Sequence, residues 1–348
     1  MTGDRGFECN RDFSTITTNP HRFLRVAVEL HQVNLRNIVR GMKMRARRVI
    51  SIAVFCYALF CATLAIFLGE LAFRPQRVRV TQRQSFEATA TRFGATLQNV
   101  SITVSDDSHL QGWFARPANA NGDVVILFHG VGDNRQGMMG FAELFLSKQF
   151  AVLLPDSRAQ GESGGDFPTY GIRESGDVHQ WFNWLESAQH PKCVFGMGES
   201  MGAAVLLQAI EKENRFCAVV AESSFASFRQ IAYVRVGQVF HTGTWLGRVA
   251  LRPAVETAFL YGRLTRGVNL ADASPERSVV GNRVPILLIH GLADDNIPPQ
   301  QSEWIRAHNP AEIVLWNVPN AGHCGAVNVA GQEFDTRVLN WFNSHDRA

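Results

Sequence analysis

Apolar residues fall into three patterns along the chain, and each pattern predicts a different structure. Residues 49–69 form an apolar run without a single charge. Two short stretches, 99–104 and 110–116, are of β type and flank the turn residues Asp106 and Asp107. They predict an antiparallel hairpin. In the rest of the chain, short and wholly apolar runs alternate with stretches of helical spacing, which is typical of strands alternating with helices.

This alternation predicts an α/β fold. The strands are predicted at residues 124–128, 151–154, 194–197, 218–221, 286–289 and 313–318. Helices are predicted at residues 134–148, 170–187, 201–211, 300–308 and 332–344. Strands that are apolar on both faces indicate a parallel sheet with helices covering both sides.

One connection between strands is far longer than an ordinary crossover. About 60 residues separate the strand that ends at residue 221 from the strand at 286–289. They carry aromatic and aliphatic side chains at helical spacing, Phe240 and Trp245 among them. We predict a helical cap insertion at about residues 223–283, with Phe240 and Trp245 in a substrate pocket. Helices packed on the side of the sheet are the alternative.

The uncharged run is long enough to span a membrane. A helix of its 21 residues measures about 31 Å, against about 30 Å for a bilayer core. Six Lys or Arg residues lie in the 15 residues before it and four in the 15 after it. The positive-inside rule then predicts a single-pass membrane protein with its N-terminus in the cytoplasm and its catalytic domain outside. A cleaved signal peptide is the alternative, although no A-x-A site follows the run.

Charge separates the N-terminal segment from the rest of the chain. The 348 residues carry a net charge of +3, yet residues 1–48 hold ten Lys or Arg against four acids, a net of +6. The remainder is therefore mildly acidic, at −3, and offers no basic face for nucleic acid. We divide the chain into a basic segment (1–48), a transmembrane signal-anchor (49–69) and a catalytic domain (75–348).

The six cysteines include no pair with metal-ligand spacing, and no metal site is predicted. Cys193 and Cys217 each open a predicted strand. A disulfide between them is left open by the sequence and is not predicted.

The candidate nucleophile is Ser200, in the pattern Gly198-Glu199-Ser200-Met201-Gly202. A G-x-S-x-G pattern is common by chance, but here it lies between a predicted strand and a predicted helix, the context of a nucleophile elbow. A serine hydroxyl needs a base, and the base needs an acid that orients it. A helix-capping serine is the alternative role.

The acid and the base follow in the loops after two later strands. Asp294 lies in the sequence His290-Gly291-Leu292-Ala293-Asp294, and His323 follows the last predicted strand. Catalytic groups of parallel sheets gather at this carboxyl edge. Asp295 is the second choice for the acid and Glu222 the third.

The oxyanion site is predicted from backbone N–H groups. The loop His129-Gly130-Val131-Gly132 follows a strand and can present the N–H of Val131, with the N–H of Met201 as the second donor. His129 is predicted to brace this loop and not to transfer protons.

These motifs resemble the α/β-hydrolase superfamily, and more narrowly its membrane-anchored or exported serine aminopeptidase-like (BEM46-like) hydrolases. The resemblance covers about residues 97–344 and includes a loop at residues 156–163 similar to the family pattern D-x-R-G-x-G-x-S. This chain departs from the pattern with Ala159 in place of glycine and Gln160 where histidine is frequent. The resemblance implies a mostly parallel eight-stranded sheet and acyl transfer to water without metal or cofactor.

Several other functions fit the sequence poorly. The third glycine of a dinucleotide fingerprint is missing and no Gly-Lys of a P-loop is present. Ser200 excludes a dehalogenase, which needs an acid at the elbow. We predict a serine hydrolase that cleaves an acyl ester, small or lipid-like, through an acyl-enzyme. An aminopeptidase-like peptidase or a thioesterase is the first alternative, and a non-catalytic binding protein the second.

Overall fold

The computed structural model describes residues 20–239 and 241–346, in two units that meet after Phe60. The first unit contains most of helix α1 (Pro20–Phe73), and the second begins at Cys61 with the last turns of that helix. Segment His31–Phe73 is, among the described residues, the one helical segment long and apolar enough to cross a membrane. The sequence predicted a helix at 49–69, whereas α1 begins far earlier, at Pro20.

The second unit is built on an eight-stranded sheet, as the sequence and the resemblance predicted. The strands are β1 (Ala95–Thr103), β2 (His109–Pro117), β3 (Val124–Phe128), β4 (Ala151–Pro155), β5 (Val194–Glu199), β6 (Val219–Glu222), β7 (Ile286–Gly291) and β8 (Ile313–Val318). Their order in the sheet is β1-β2-β4-β3-β5-β6-β7-β8. β2 is antiparallel to β1 and to β4, and all other neighbours are parallel.

Helices cover both faces of this sheet. They are α2 (Arg83–Arg92), α3 (Met139–Ser147), α4 (Glu174–Gln189), α5 (Met201–Ala209), α6 (Phe228–Val239), α7 (Gly243–Trp245), α8 (Arg252–Arg266), α9 (Pro275–Ser278), α10 (Gln300–His308), α11 (Ala326–Ala330) and α12 (Gln332–Asn343). Short 3₁₀ turns at Arg135–Met138 and Leu270–Asp272 and a π-helical turn at Leu246–Ala250 complete the helical segments described.

The inner strands are mostly apolar, up to polar residues at their carboxyl ends, because each of their faces packs in a separate core. Ile126 and Phe128 of β3 point into a core shared with α4, α5 and the helices after β6. Val125 and Leu127 point into the opposite core, with α2, α3 and α12. Successive side chains of a strand alternate between faces, so a strand covered on both sides needs apolar residues at every position.

A disulfide joins Cys193 and Cys217. The sequence had left this bond open and did not predict it. Cys193 directly precedes β5 and Cys217 lies two residues before β6. These are adjacent parallel strands with Gly196 opposite Val219. The Cα atoms of the two cysteines are therefore only 5.8 Å apart. A sequence pattern identifies strands but not which strands are neighbours, and it therefore left this pair open.

Candidate active site

The turn after β5 holds Ser200 in a conformation that few residues adopt. Its φ of 51° and ψ of −113° lie in a strained region, and α5 begins at the next residue. A Cβ on Gly198 would lie 2.5 Å from the carbonyl carbon of Gly202, and one on Gly202 would lie 2.2 Å from the carbonyl oxygen of Phe128. Both glycines of the pattern are therefore required by close backbone packing.

Ser200, His323 and Asp294 form a continuous hydrogen-bonded chain. The Ser200 hydroxyl lies 2.9 Å from His323 Nε2, and His323 Nδ1 lies 2.8 Å from Asp294 Oδ2. Because the carboxylate can only accept, Nδ1 carries a proton, and Nε2 is the ring atom placed to accept the serine hydrogen. The structure thus brings together the three residues that the sequence selected from three separate loops.

Asp294 is held as a carboxylate by its surroundings. Burial on its own would raise the pKa of this group, but hydrogen bonds from His290, His323 and the N–H of Ile297 together hold it well below its usual value. The N–H groups of Asn296 and Ile297 donate to Oδ1, at 2.9 and 2.8 Å. The charge therefore stays available to orient His323.

Among the described residues, His323 hydrogen-bonds through its ring to Asp294 and Ser200, and to neither of the two other acids considered for this role. Asp295 is exposed to solvent. Glu222 is fully buried beneath the site, and its Oε1 accepts the N–H of Ala326 at 2.9 Å. Burial raises the pKa of Glu222 to about 7, and burial together with Glu222 raises the pKa of Glu199 to about 8.

The loop predicted to form the oxyanion site lies beside the serine. An added Cβ on Gly130 would be 3.6 Å from Ser200 Cβ, and Val131 and Met201 line the same cavity as Ser200. His129 is fully buried; its Nε2 accepts the N–H of Ser157 at 3.0 Å and its Nδ1 donates to the carbonyl oxygen of Gly130 at 2.8 Å. The prediction that His129 braces this loop is confirmed.

Gln160 contacts the predicted oxyanion loop in a way that the sequence did not reveal. It is fully buried, and its side-chain carbonyl accepts the N–H of Gly132 at 2.7 Å, one residue from the predicted oxyanion donor Val131. The only signal in the sequence was that Gln160 replaces a histidine frequent in related loops.

Ser200 opens into a cavity of about 390 Å³. Its walls come from the last turns of α1, from α6 and α8, and from the loops around Val131 and Ile297. Three of the described lining residues have polar side chains, Ser200, Tyr170 and Arg235, and the rest are apolar or glycine. A pocket of this size and composition suits a largely apolar ligand.

The structure allows only one of the two predicted pocket residues, Phe240 and Trp245, to be examined. Phe240 lies outside the described residues. Trp245 does not line the cavity and its side chain is 65% exposed, so its placement in the pocket was wrong. The prediction assumed regular helical spacing, but α6 ends at Val239 and the chain continues through the three-residue helix α7 and a π-helical turn. This break shifts the phase of the side chains.

The chain matches a known protein family across this site. The model of the alpha/beta hydrolase family matches residues 125–335, which include Ser200, Asp294 and His323. The chain belongs to the alpha/beta hydrolase family. It is 27% identical over 218 residues to the uncharacterized protein YqkD of Bacillus subtilis, covering 62% of this hydrolase and 68% of YqkD.

Solved structures agree with this fold. The esterase Pf2001 of Pyrococcus furiosus superposes with a TM-score of 0.61 at 24% identity, covering 78% of this chain and 99% of the esterase. An acylaminoacyl peptidase of Pyrococcus horikoshii gives a TM-score of 0.56 at 15% identity, covering 73% of this chain and 42% of the peptidase. At these identities the likenesses establish the fold and leave the substrate to be argued from the site.

Proposed function

We propose that this hydrolase is a serine esterase that cleaves acyl esters through a Ser200 acyl-enzyme. The observation that carries the proposal is the hydrogen-bonded chain from Ser200 through His323 to Asp294. A chain of this kind activates a serine hydroxyl, because the imidazole takes its proton while the carboxylate stabilises the resulting imidazolium.

The reaction follows from this arrangement in two steps. Ser200 Oγ attacks the ester carbonyl, its proton passes to His323 Nε2, and the N–H groups of Val131 and Met201 stabilise the oxyanion. The tetrahedral intermediate collapses, and the alcohol leaves with the proton from His323. Water, deprotonated by the same imidazole, then attacks the acyl-enzyme and releases the acid and free Ser200.

The cavity favours an ester over a peptide substrate. An aminopeptidase needs an acid to bind the substrate's amino group, yet none of the described lining residues is acidic. Arg235 is the charged residue on this wall, and it would repel an ammonium group. The apolar remainder suits an acyl chain.

The Ser200→Ala variant tests the proposal. We expect it to lose hydrolysis of p-nitrophenyl butyrate and covalent labelling by a fluorophosphonate, while circular dichroism remains that of the wild type. Aminoacyl p-nitroanilides are assayed alongside, and their preferential cleavage would transfer the assignment to a peptidase. Labelling of the variant at the wild-type rate would refute the nucleophile.

We also propose that α1 anchors the protein in a membrane, with the N-terminus cytoplasmic and the catalytic domain outside. In residues 49–60 large apolar side chains such as Phe55 are exposed, as lipid-facing residues would be. The excess of cations before the run supports the orientation. A disulfide between Cys193 and Cys217 supports it too, because disulfides persist in oxidising compartments.

Fractionation tests the anchor. The full-length protein should stay with membranes through a carbonate wash, and protease added to spheroplasts should digest the catalytic domain. Release into the soluble fraction after removal of the first 70 or so residues would instead identify a secretion signal. Protection of the domain from protease would reverse the orientation.

A further inference from the structure

The cavity at Ser200 shares a wall with the predicted membrane helix. Leu68 and Gly69 belong to the uncharged run, and both line the cavity. Leu71, Ala72 and Phe73 continue this wall to the end of α1. One helix end thus belongs to both the membrane segment and the substrate site.

Polar contacts fix this helix end in the wall. The Tyr170 hydroxyl donates to the carbonyl oxygen of Ala72 at 2.7 Å. The Tyr261 hydroxyl donates to Glu70 Oε1 at 2.7 Å, and the guanidinium of Arg266 pairs with the same carboxylate at 2.8 Å. These bonds hold the end of α1 to the loop before α4 and to α8.

The helix backbone also fits closely against its neighbours. A Cβ on Gly69 would lie 2.7 Å from the ring of Tyr261, and one on Gly262 would lie 2.9 Å from the ring of Phe73. Phe73 is buried and makes an edge contact with Phe167, with ring centroids 5.1 Å apart. The end of α1 is therefore packed tightly into the wall of the cavity.

Because this wall directly follows the predicted membrane span, it indicates that a substrate would enter the cavity at the membrane boundary. If residues 49–69 span the bilayer, Leu68 lies at its boundary, and so does the cavity that Leu68 lines. Each methylene of an acyl chain prefers an apolar phase to water by roughly fourfold, so a long chain that had to cross water would rarely arrive. An apolar cavity at the boundary removes that crossing.

We propose that the substrate is an acyl ester of a lipid in the membrane that α1 crosses, and that residues 68–73 form the wall along which its acyl chain lies. This proposal rests on the esterase function and on the anchor proposed above. Hydrolysis consumes one water, breaks the bond between the acyl carbon and the ester oxygen, and releases a fatty acid and the deacylated lipid alcohol.

Leu68→Trp in the full-length protein, reconstituted in lipid nanodiscs, tests the wall. The larger side chain should remove room for about two methylenes, so kcat/KM for p-nitrophenyl palmitate should fall about fifteenfold. The loss for p-nitrophenyl butyrate should be much smaller, so that the ratio of the two values falls, because a short chain has few methylenes that could lie along the wall. Phe67→Trp is the matched control, since Phe67 is 62% exposed and does not line the cavity.

A second variant guards against misfolding of the first. Leu68→Ala enlarges the cavity and should move the preferred acyl chain to a greater length. Equal losses on butyrate and palmitate in Leu68→Trp, or an unchanged chain-length profile in both variants, would overturn the role of the wall.

A second experiment tests whether the lipid substrate comes from the membrane that holds the enzyme. A phospholipid with a fluorogenic palmitoyl ester is placed either in the discs that hold the enzyme or in separate, enzyme-free discs. We expect hydrolysis at least about tenfold faster in the shared discs, because transfer through water is slow for a long chain. Equal rates, or no cleavage of this lipid by protein that hydrolyses butyrate, would overturn the proposal. Failure to hydrolyse butyrate would instead count against the esterase function.

Discussion

The backbone carbonyl oxygen of Glu222 accepts a hydrogen bond from the backbone N–H of Ser200, at 2.9 Å. The bond joins the end of β6 to the turn after β5 and helps to hold the strained serine in place. It also ties Ser200 to Glu222, whose buried carboxyl group interacts electrostatically with His290 and Asp294. The Glu222 side chain, however, turns to the N–H of Ala326, whereas Asp294 contacts His323.

This difference predicts a clear ranking of the acids. Asp294→Asn should lower kcat for p-nitrophenyl butyrate by about 10⁴-fold, because an amide that donates to Nδ1 holds the wrong tautomer of His323. Its carbonyl oxygen can still accept the N–H groups of Asn296 and Ile297, so the fold should survive. The exposed Asp295 provides the control, and Asp295→Asn should stay within about twofold of the wild type. A larger loss in the control than in Asp294→Asn would transfer the role.

The sequence predicted the sheet and selected the three residues of the hydrogen-bonded chain because both depend on local patterns. Apolar runs identify the strands, and the loops after them carry Ser200, Asp294 and His323 at the carboxyl edge. Other features depend on which segments meet in space. The pairing of β5 with β6 decides the disulfide, and the break after α6 decides where Trp245 lies. Neither the pairing of these strands nor the break after α6 produces a periodic pattern in the sequence. The sequence did not reveal that α1 forms part of the cavity wall for the same reason.

Ala159 predicts a simple stabilising change. Its φ of 60° is a left-handed conformation, in the loop position where the family pattern that this loop resembles has glycine. An alanine in this conformation destabilises the folded state by about 1–2 kcal/mol. Glycine removes this strain, but it also makes the unfolded chain more flexible, which offsets part of the gain. Ala159→Gly should therefore raise the free energy of unfolding by about 0.5–1 kcal/mol, measured by urea denaturation.

The control for this change is an alanine in a helix. Ala88 is exposed within α2, where glycine should lower the free energy of unfolding by about 0.5–1 kcal/mol. The two substitutions are chemically identical and should have opposite signs. A loss of stability in both would show that Ala159 is not strained.

The disulfide predicts a measurable contribution to stability. Cys193 and Cys217 are separated by 24 residues, and closing a loop of that length stabilises a protein by about 3 kcal/mol. The double variant Cys193→Ala/Cys217→Ala should therefore melt about 6–12 °C lower in calorimetry. Cys324→Ala, which removes a free thiol, is the control and should not reproduce this loss. Equal Tm values for the double variant and the wild type would contradict the bond.

Glu222 predicts how stability depends on pH. Its pKa is about 7 in the folded protein, raised by burial, against about 4.3 in an unfolded chain. The folded state therefore binds the proton more tightly, and the stabilisation it brings is complete below about pH 4 and is lost as the pH rises through 7. Glu199, with a pKa of about 8, adds to the same trend.

Glu222→Gln should remove much of this dependence. The amide resembles the protonated acid, and its carbonyl oxygen can accept the N–H of Ala326 at every pH. Tm should change little at about pH 5 and exceed that of the wild type at about pH 8, where the buried carboxylate is ionised. Its loss also removes one cause of the raised pKa of Glu199. Glu303→Gln, at an exposed site, should show no such difference between the two pH values. A gain of equal size at both would mean that packing, and not ionisation, sets the effect.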